Sequence, residues 1–459
     1  MFTAFLLVVS EYNWKGAFLF TILAGFLQDP IRKSSAVDSS YFGAISLFFF
    51  VLTFFILRSK YRNWDLELIC WPNPIVISLI PAFFYLLFLQ SLNSFARFND
   101  IRLTVVGLLF YVVPLISIWI GYRISSDLRF LRWVLIFYVA LCSIMASSIL
   151  LSLTGFESHF LKEVGPGIEI TGTGYGYSGL WRTSEIAGWH LATGACFAFI
   201  LGMSETKNIK QVLYFVLSFS LGFLTITTGR RKALGLVIIF VALYLLYYAL
   251  TVKGSRFSKT IGSLVCVVAL CLSSYGLIFN PEIQSSLEPF LDRSTTLTVE
   301  ESQDRLRVQG IGALLRGLEV AGPLGYGLGV GSNAGTTGIG GQRLNIQSLG
   351  YISEGGGGRL IVELGALGMI VFSFVIFQVL ILYFKIFLIS RQLISYGADI
   401  LSGLALFTLA NVITFLSASQ LYSDPFVLII LGLSSGAILA VPKLIIDIRH
   451  YYSTYTFKP

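Results

Sequence analysis

Charged residues are scarce. They make up 12% of the 459 residues, whereas a soluble globular domain carries about 25%. Half the usual charge leaves too little polar surface to cover a water-soluble globule. Cysteines are few and scattered. Cys142, Cys196, Cys266 and Cys271 lie inside apolar runs, Cys70 sits at the edge of one, and no C-x-x-C pair occurs. This pattern offers neither a disulfide framework nor a zinc site. There are only three histidines. His159 falls in a loop and His450 in the tail, and His190 is expected as a buried, hydrogen-bonded residue. No soluble basic segment with interleaved aromatics exists, so the net charge of +8 is not read as nucleic-acid binding. Lysine and arginine are instead expected to set topology in short cytoplasmic loops. The opening residues lack a basic n-region and an A-x-A site, so the first apolar segment is expected to remain as an anchor.

What is abundant is apolar. Hydrophobic residues reach 55% and aromatics 15%, with 39 Phe, 22 Tyr and 7 Trp. Apolar spans fall at 14–28, 40–58, 74–92, 102–121, 131–153, 187–203, 210–228, 233–251, 260–279, 360–386, 398–417 and 425–446. Most approach the ~20 residues a helix needs to cross ~30 Å of hydrocarbon. The pattern predicts an all-α polytopic membrane protein of about 12 transmembrane helices. The 74–92 span holds Pro74 and Pro81 and is expected to be kinked or partly re-entrant. With the N-terminus inside, each inside loop carries at least two basic residues, such as Arg58, Lys60 and Arg62, or Lys207 and Lys210, as the positive-inside rule requires. The outside segments 154–186 and 280–359 are then far longer than ordinary connections. The chain divides into 1–279 with helices one to nine, a glycine-rich outer loop at 280–359, and 360–459 with the last three helices and a cytoplasmic tail.

Four clusters are candidates for chemistry. Thr228-Gly229-Arg230-Arg231-Lys232 puts three cations at a short outside turn, where topology does not require them. Arg230, Arg231 and Lys232 can act there as an anion clamp, since guanidinium forks suit phosphate oxygens; the competing reading is an ordinary cytoplasmic turn. Residues 322–358 hold 14 glycines in 37 positions but lack G-x-x-x-x-G-K-[ST], so no nucleotide site is expected. Ahead of them, Val308, Ile311, Leu314, Leu315 and Leu318 recur at helical spacing, with Arg305 and Arg316 on another face. This predicts an amphipathic helix lying on the membrane domain. Ser353-Glu354 leads through four glycines to Arg359 and Glu363. Glu354 is the expected chemical carboxylate and Glu363 the structural one. Trp181, Arg182, Glu185 and Trp189 stand at the outer entry of the sixth span. The tryptophans suit an interfacial belt, and Arg182 and Glu185, three apart, can pair on a helix.

In this order, these residues resemble the O-antigen ligase and polymerase family of bacterial membrane glycosyltransferases. The likeness lies in the basic turn at Thr228–Lys232, the Arg-led helix at Arg305, Pro-x-Gly-x-Gly-x-Gly at Pro323–Gly329, and Glu-x-Gly at Glu363–Gly365. Gln28-Asp29-Pro30-Ile31-Arg32-Lys33 looks like a variant of exopolysaccharide-associated members. The ligases carry a histidine about nine residues before the Glu-x-Gly glutamate; here that position is Glu354, and the large loop has no histidine, which favours a polymerase-like member over a ligase. The resemblance implies a GT-C-like fold with a large periplasmic loop before the last three helices, in the bacterial inner membrane. It implies transfer of undecaprenyl-diphosphate-linked oligosaccharide at the periplasmic face, alongside other polysaccharide assembly proteins. Arg230, Arg231, Lys232 and Arg359 are the expected diphosphate ligands, Glu354 and Arg305 the expected catalytic residues, and Arg182 and Glu185 the expected saccharide contacts. No metal or other cofactor is expected, because no D-x-D motif appears on the outer side. A flippase or transporter is the alternative from another class.

Overall fold

The computed structural model describes residues 13–34, 45–163, 169–170, 174–251, 288–291, 306–332, 352–390, 399–419, 422 and 424–455. The span predicted at 260–279 and the expected catalytic Arg305 lie outside the described residues.

Helices dominate. In chain order they are α1 (Trp14–Ser34), α2 (Ile45–Lys60), α3 (Ile75–Phe98), α4 (Ile101–Ser125), α5 (Leu128–Leu153), α6 (Ser184–Ser204), α7 (Asn208–Thr227), α8 (Arg231–Thr251), α9 (Ala313–Ala321), α10 (Gly356–Ser390), α11 (Asp399–Ser417), α12 (Pro425–Ile438) and α13 (Val441–Tyr455). The strands among the described residues are β1 (Glu169–Ile170) and β2 (Gly174–Tyr175), paired antiparallel. Nine helical runs among the described residues are long and apolar enough to cross a membrane: α3 to α8, α10, α11 and the run Pro425–Ile448. This is a multi-pass helical membrane protein. Helices α1 and α2 coincide with two further expected spans, although α2 has only 16 residues. The 74–92 segment is not re-entrant. Pro74 caps α3, Pro81 sits inside it, and the helix runs unbroken for 24 residues.

The helices form two compact units that interleave along the chain. The first comprises the described residues of Met1–Arg62, Asp127–Thr298 and Gly397–Ala410. The second comprises those of Asn63–Ser126, Val299–Tyr396 and Asn411–Pro459.

In the first unit, α6 is the enclosed helix. Its whole spanning window is buried, and it is the least apolar of the nine spans. A helix wrapped by protein need not present a lipid-compatible surface. Phe197 packs edge-on to Tyr138 and Phe407, and Phe199 to Phe240 and Tyr244. Trp181 and Trp189 do not form the expected interfacial belt. They are 1% and 0% exposed and surround His190, with Trp181 stacked on the imidazole at 10°. His190 is buried as expected, its Nδ1 2.7 Å from the Tyr138 hydroxyl.

In the second unit, the glycine run explains itself through backbone contact. Gly365 sits at φ 68° and ψ −178° and breaks α10 ten residues from its start. The break strands carbonyls that the helix would otherwise use. The Pro323–Gly329 run takes them up. Tyr326 N donates to Val362 O at 2.9 Å and Gly327 N to Glu363 O at 3.1 Å. Gln90 Nε2 spans both segments, donating to Leu324 O and Leu364 O. Gly327 itself has φ +97°, and a Cβ there would lie less than 3.0 Å from the Ser94 backbone of α3. The Pro-x-Gly-x-Gly-x-Gly and Glu-x-Gly motifs are thus one joint, with Leu328 and Val330 fully buried beside it.

The amphipathic helix is present, and its closest contact is made by small residues. α9 follows a π-helical stretch, Leu306–Gly312. Its small residues Ala313, Gly317 and Ala321 are buried, and a Cβ on Gly317 would meet Ile361 of α10. The large apolar Ile311 and Leu315 are 69% and 54% exposed. Close helix–helix approach selects small residues, as in membrane packing generally, while Val308, Leu314 and Leu318 are partly buried.

Candidate functional site

In the first unit, three distant stretches meet at one end. α7 stops at Thr227, and Gly229 takes φ +66°, donating its N–H to Ile226 O at 2.9 Å. This left-handed turn is the usual glycine helix stop, and it starts α8 at once. Arg230 is thereby held against the N-terminus of α6: its Nε lies 3.1 Å from Ser184 Oγ, and its guanidinium is 3.9 Å from Glu163 Oε1. Ser184 N and Oγ both donate to Glu163 Oε1, at 2.8 and 3.2 Å. Arg182, just ahead of α6, donates its backbone N–H to Asp29 Oδ2 at 3.2 Å, with its guanidinium 4.0 Å from Oδ1. Lys33, one α-helical turn on from Asp29, donates to Gly179 O at 2.6 Å and Ser178 Oγ at 3.3 Å.

Asp29, Lys33 and Glu163 are therefore buried or nearly so, and Arg182 and Arg230 are only 19% and 18% exposed. Lys33 lies beyond the 14–28 apolar span; burial lowers its ammonium to about 8, with Asp29 and Glu163 opposing that shift. Arg231 and Lys232 follow, half-buried, on the first turn of α8. Together Lys33, Arg182 and Arg230 face two carboxylates, Asp29 and Glu163. The cluster keeps a positive excess, raised further by Arg231 and Lys232.

The second unit holds a buried charged group. Arg359 and Glu363 are 1% and 0% exposed and 3.5 Å apart, one helical turn from each other on α10. Tyr111 of α4 donates to Glu363 Oε2 at 2.8 Å. The Arg359 guanidinium lies 3.7 Å from the Phe110 ring centroid, a close cation–π contact. Gly331 packs on both side chains. A buried ion pair of this kind survives because each charge is met by its partner and by polarisable or hydrogen-bonding neighbours.

The structure brings Arg182 and Arg230 together in the first unit, with Arg231, Lys232 and Glu185 in the adjoining first turns of α8 and α6. Arg359, an expected diphosphate ligand, is instead sealed in the second unit against Glu363 and Phe110. Glu354 is half-buried two residues before α10, its carbonyl accepting from Ser419 N at 2.8 Å. Sequence reasoning passed over Glu163, Tyr111 and Phe110. Glu163 had no motif to mark it, and Tyr111 is one of 22 tyrosines. Among the described residues, no group of three or more His, Cys, Asp and Glu side chains is arranged to hold a metal ion.

The class so defined is a polytopic helical membrane protein with a cation-rich polar cluster at one end of its first unit and a buried ion pair in its second. No protein-family model matches the chain, and no curated protein matches it.

Proposed function

We propose that this chain is a membrane glycosyltransferase that polymerises or transfers undecaprenyl-diphosphate-linked oligosaccharide units in O-antigen or exopolysaccharide biosynthesis. In this reading it crosses the bacterial inner membrane about twelve times and works at the periplasmic face. The observation that carries the reading is the gathering of Lys33, Arg182 and Arg230 from three distant stretches beside the α6 N-terminus. The Gln28–Lys33, Trp181–Glu185 and Thr228–Lys232 segments thus contribute to one polar cluster. The opposite end of the same unit carries Lys15, Arg132, Lys207 and Lys210, which satisfies the positive-inside tendency for a cytoplasmic side.

In the reaction, an acceptor hydroxyl attacks the anomeric carbon, the bond from that carbon to the diphosphate oxygen breaks, and the diphosphate leaves with the electron pair. Cations at those oxygens stabilise the charge as it develops. Arg230, Arg231 and Lys232 are the proposed ligands, with Arg182 and Glu185 the saccharide contacts. The acceptor proton passes to a carboxylate base.

The expected result is that Arg230→Ala cuts polymer formation by about 100-fold or more while the protein accumulates normally in the membrane. Product chain length on gels and protein level by immunoblot are the two readouts. Arg230→Lys retains part of the activity, because it keeps the charge but loses the fork. Polymer of normal length and amount from Arg230→Ala would reject the assignment. Labelled lipid-linked saccharide that changes leaflet without changing length would assign a flippase.

A further inference from the structure

The α6 N-terminus is already capped. The Thr183 side chain accepts from Ile186 N and so fills the capping role of the residue before the helix. Glu163 is nonetheless directed at the same end, where its Oε1 accepts from Ser184 N at 2.8 Å and Ser184 Oγ at 3.2 Å. Arg230 completes the surround, 3.9 Å from that oxygen and 3.1 Å from Ser184 Oγ. Each group around Oε1 is therefore a donor or a cation: a backbone N–H at the positive end of a 21-residue helix, a hydroxyl and a guanidinium. That donor set fits a phosphate oxygen. Glu163 is only 8% exposed on its side chain, and its second oxygen, Oε2, is buried with no hydrogen-bond partner. One oxygen of the carboxylate thus carries every contact with the seat, while the other is buried without a donor.

We infer that Glu163 is an internal stand-in for substrate phosphate, which must displace it from Ser184 and Arg230 to bind. The inference rests on the transferase reading for the identity of the phosphate, but not for the existence of the seat. A phosphate group carries more negative charge than a carboxylate and can take the same backbone N–H, hydroxyl and guanidinium, while its arrival releases the unpartnered Oε2 of Glu163 from burial. Asp29 and Lys33 stay on the neighbouring contacts with Arg182, Ser178 and Gly179, so the exchange does not require the whole cluster to open.

The test is binding of two probes, inorganic pyrophosphate and farnesyl diphosphate, to the purified full-length protein in detergent. Removing the competing charge with Glu163→Gln is expected to tighten binding by about tenfold, the equivalent of losing one charge-assisted hydrogen bond of about 1.5 kcal/mol. Adding Arg230→Ala to Glu163→Gln is expected to abolish the gain. If Glu163→Gln fails to fold, Glu163→Asp, one methylene shorter, is expected to give a smaller tightening in the same direction. Tightening for pyrophosphate and farnesyl diphosphate alike assigns the seat to the diphosphate; tightening for the prenylated probe alone assigns it to the lipid-bearing phosphate. Unchanged or weaker binding of both probes by the Glu163 variants overturns the inference, even if Arg230→Ala abolishes polymer and the transferase reading stands. Tighter binding with polymer unaffected by Arg230→Ala upholds the phosphate seat and rejects the transferase instead.

Discussion

Gly327→Ala is expected to unfold the second unit. The native φ of +97° is strained for any L side chain, and the added Cβ would lie less than 3.0 Å from the Ser94 backbone. Backbone has no rotamer into which to retreat, so either α3 or the Pro323–Gly329 run must move. Movement breaks the bonds from Tyr326 N and Gly327 N to the carbonyls of Val362 and Glu363, and each buried unsatisfied carbonyl costs about 1–3 kcal/mol. With the φ strain of about 1–3 kcal/mol, the loss rivals the whole stability of a typical domain. The comparison variant is Gly322→Ala. Gly322 also has positive φ, at +64°, but a Cβ there meets nothing within 4 Å. It should lower stability by the strain alone, about 1–3 kcal/mol. The yield of monodisperse protein and the apparent melting temperature in detergent distinguish the two. Equal effects from both variants would show that the close approach to Ser94 has no role.

The second large effect belongs to Arg359 and Glu363. Removing either side chain alone leaves the other charge buried, and single losses from buried pairs cost about 3–5 kcal/mol. Glu363→Ala and Arg359→Ala should therefore each lower the apparent melting temperature sharply. The double variant Arg359→Met/Glu363→Leu should recover most of the loss, because apolar replacement of both charges removes the desolvation problem. Tyr111→Phe, which removes one hydrogen bond to the carboxylate, should cost about 1.5–3 kcal/mol. If the double variant is no more stable than the two singles, the group is not held together as a charge pair and its role lies elsewhere.

Both predictions concern motifs that were visible in the chain, but whose meaning was not. Pro-x-Gly-x-Gly-x-Gly and Glu-x-Gly are recognisable as glycine-rich strings. Nothing in their spacing says that one accepts the broken helix of the other. The same holds for α9. Its large apolar residues recur at helical spacing, but that spacing does not say which residues make the closest contact. Ala313 and Gly317 do, because they allow α10 to come closer than leucine could. Trp181 and Trp189 look like interfacial anchors by type and position. They are core residues because α6 is surrounded by protein, a fact of packing that composition does not carry.

Read alone, the chain determines where helices form and that most of them cross a membrane, since apolar runs near 20 residues have few other uses and the backbone hydrogen bonds of a span must close within it. Which helix is enclosed and which faces lipid, which glycines touch backbone, and how Glu163 comes to sit on Ser184 and Arg230 were decided only in three dimensions. The physical reason is range. Hydropathy and capping act between residues a turn or so apart, whereas each of these contacts joins residues from about twenty to more than two hundred positions apart, at distances that no local pattern encodes.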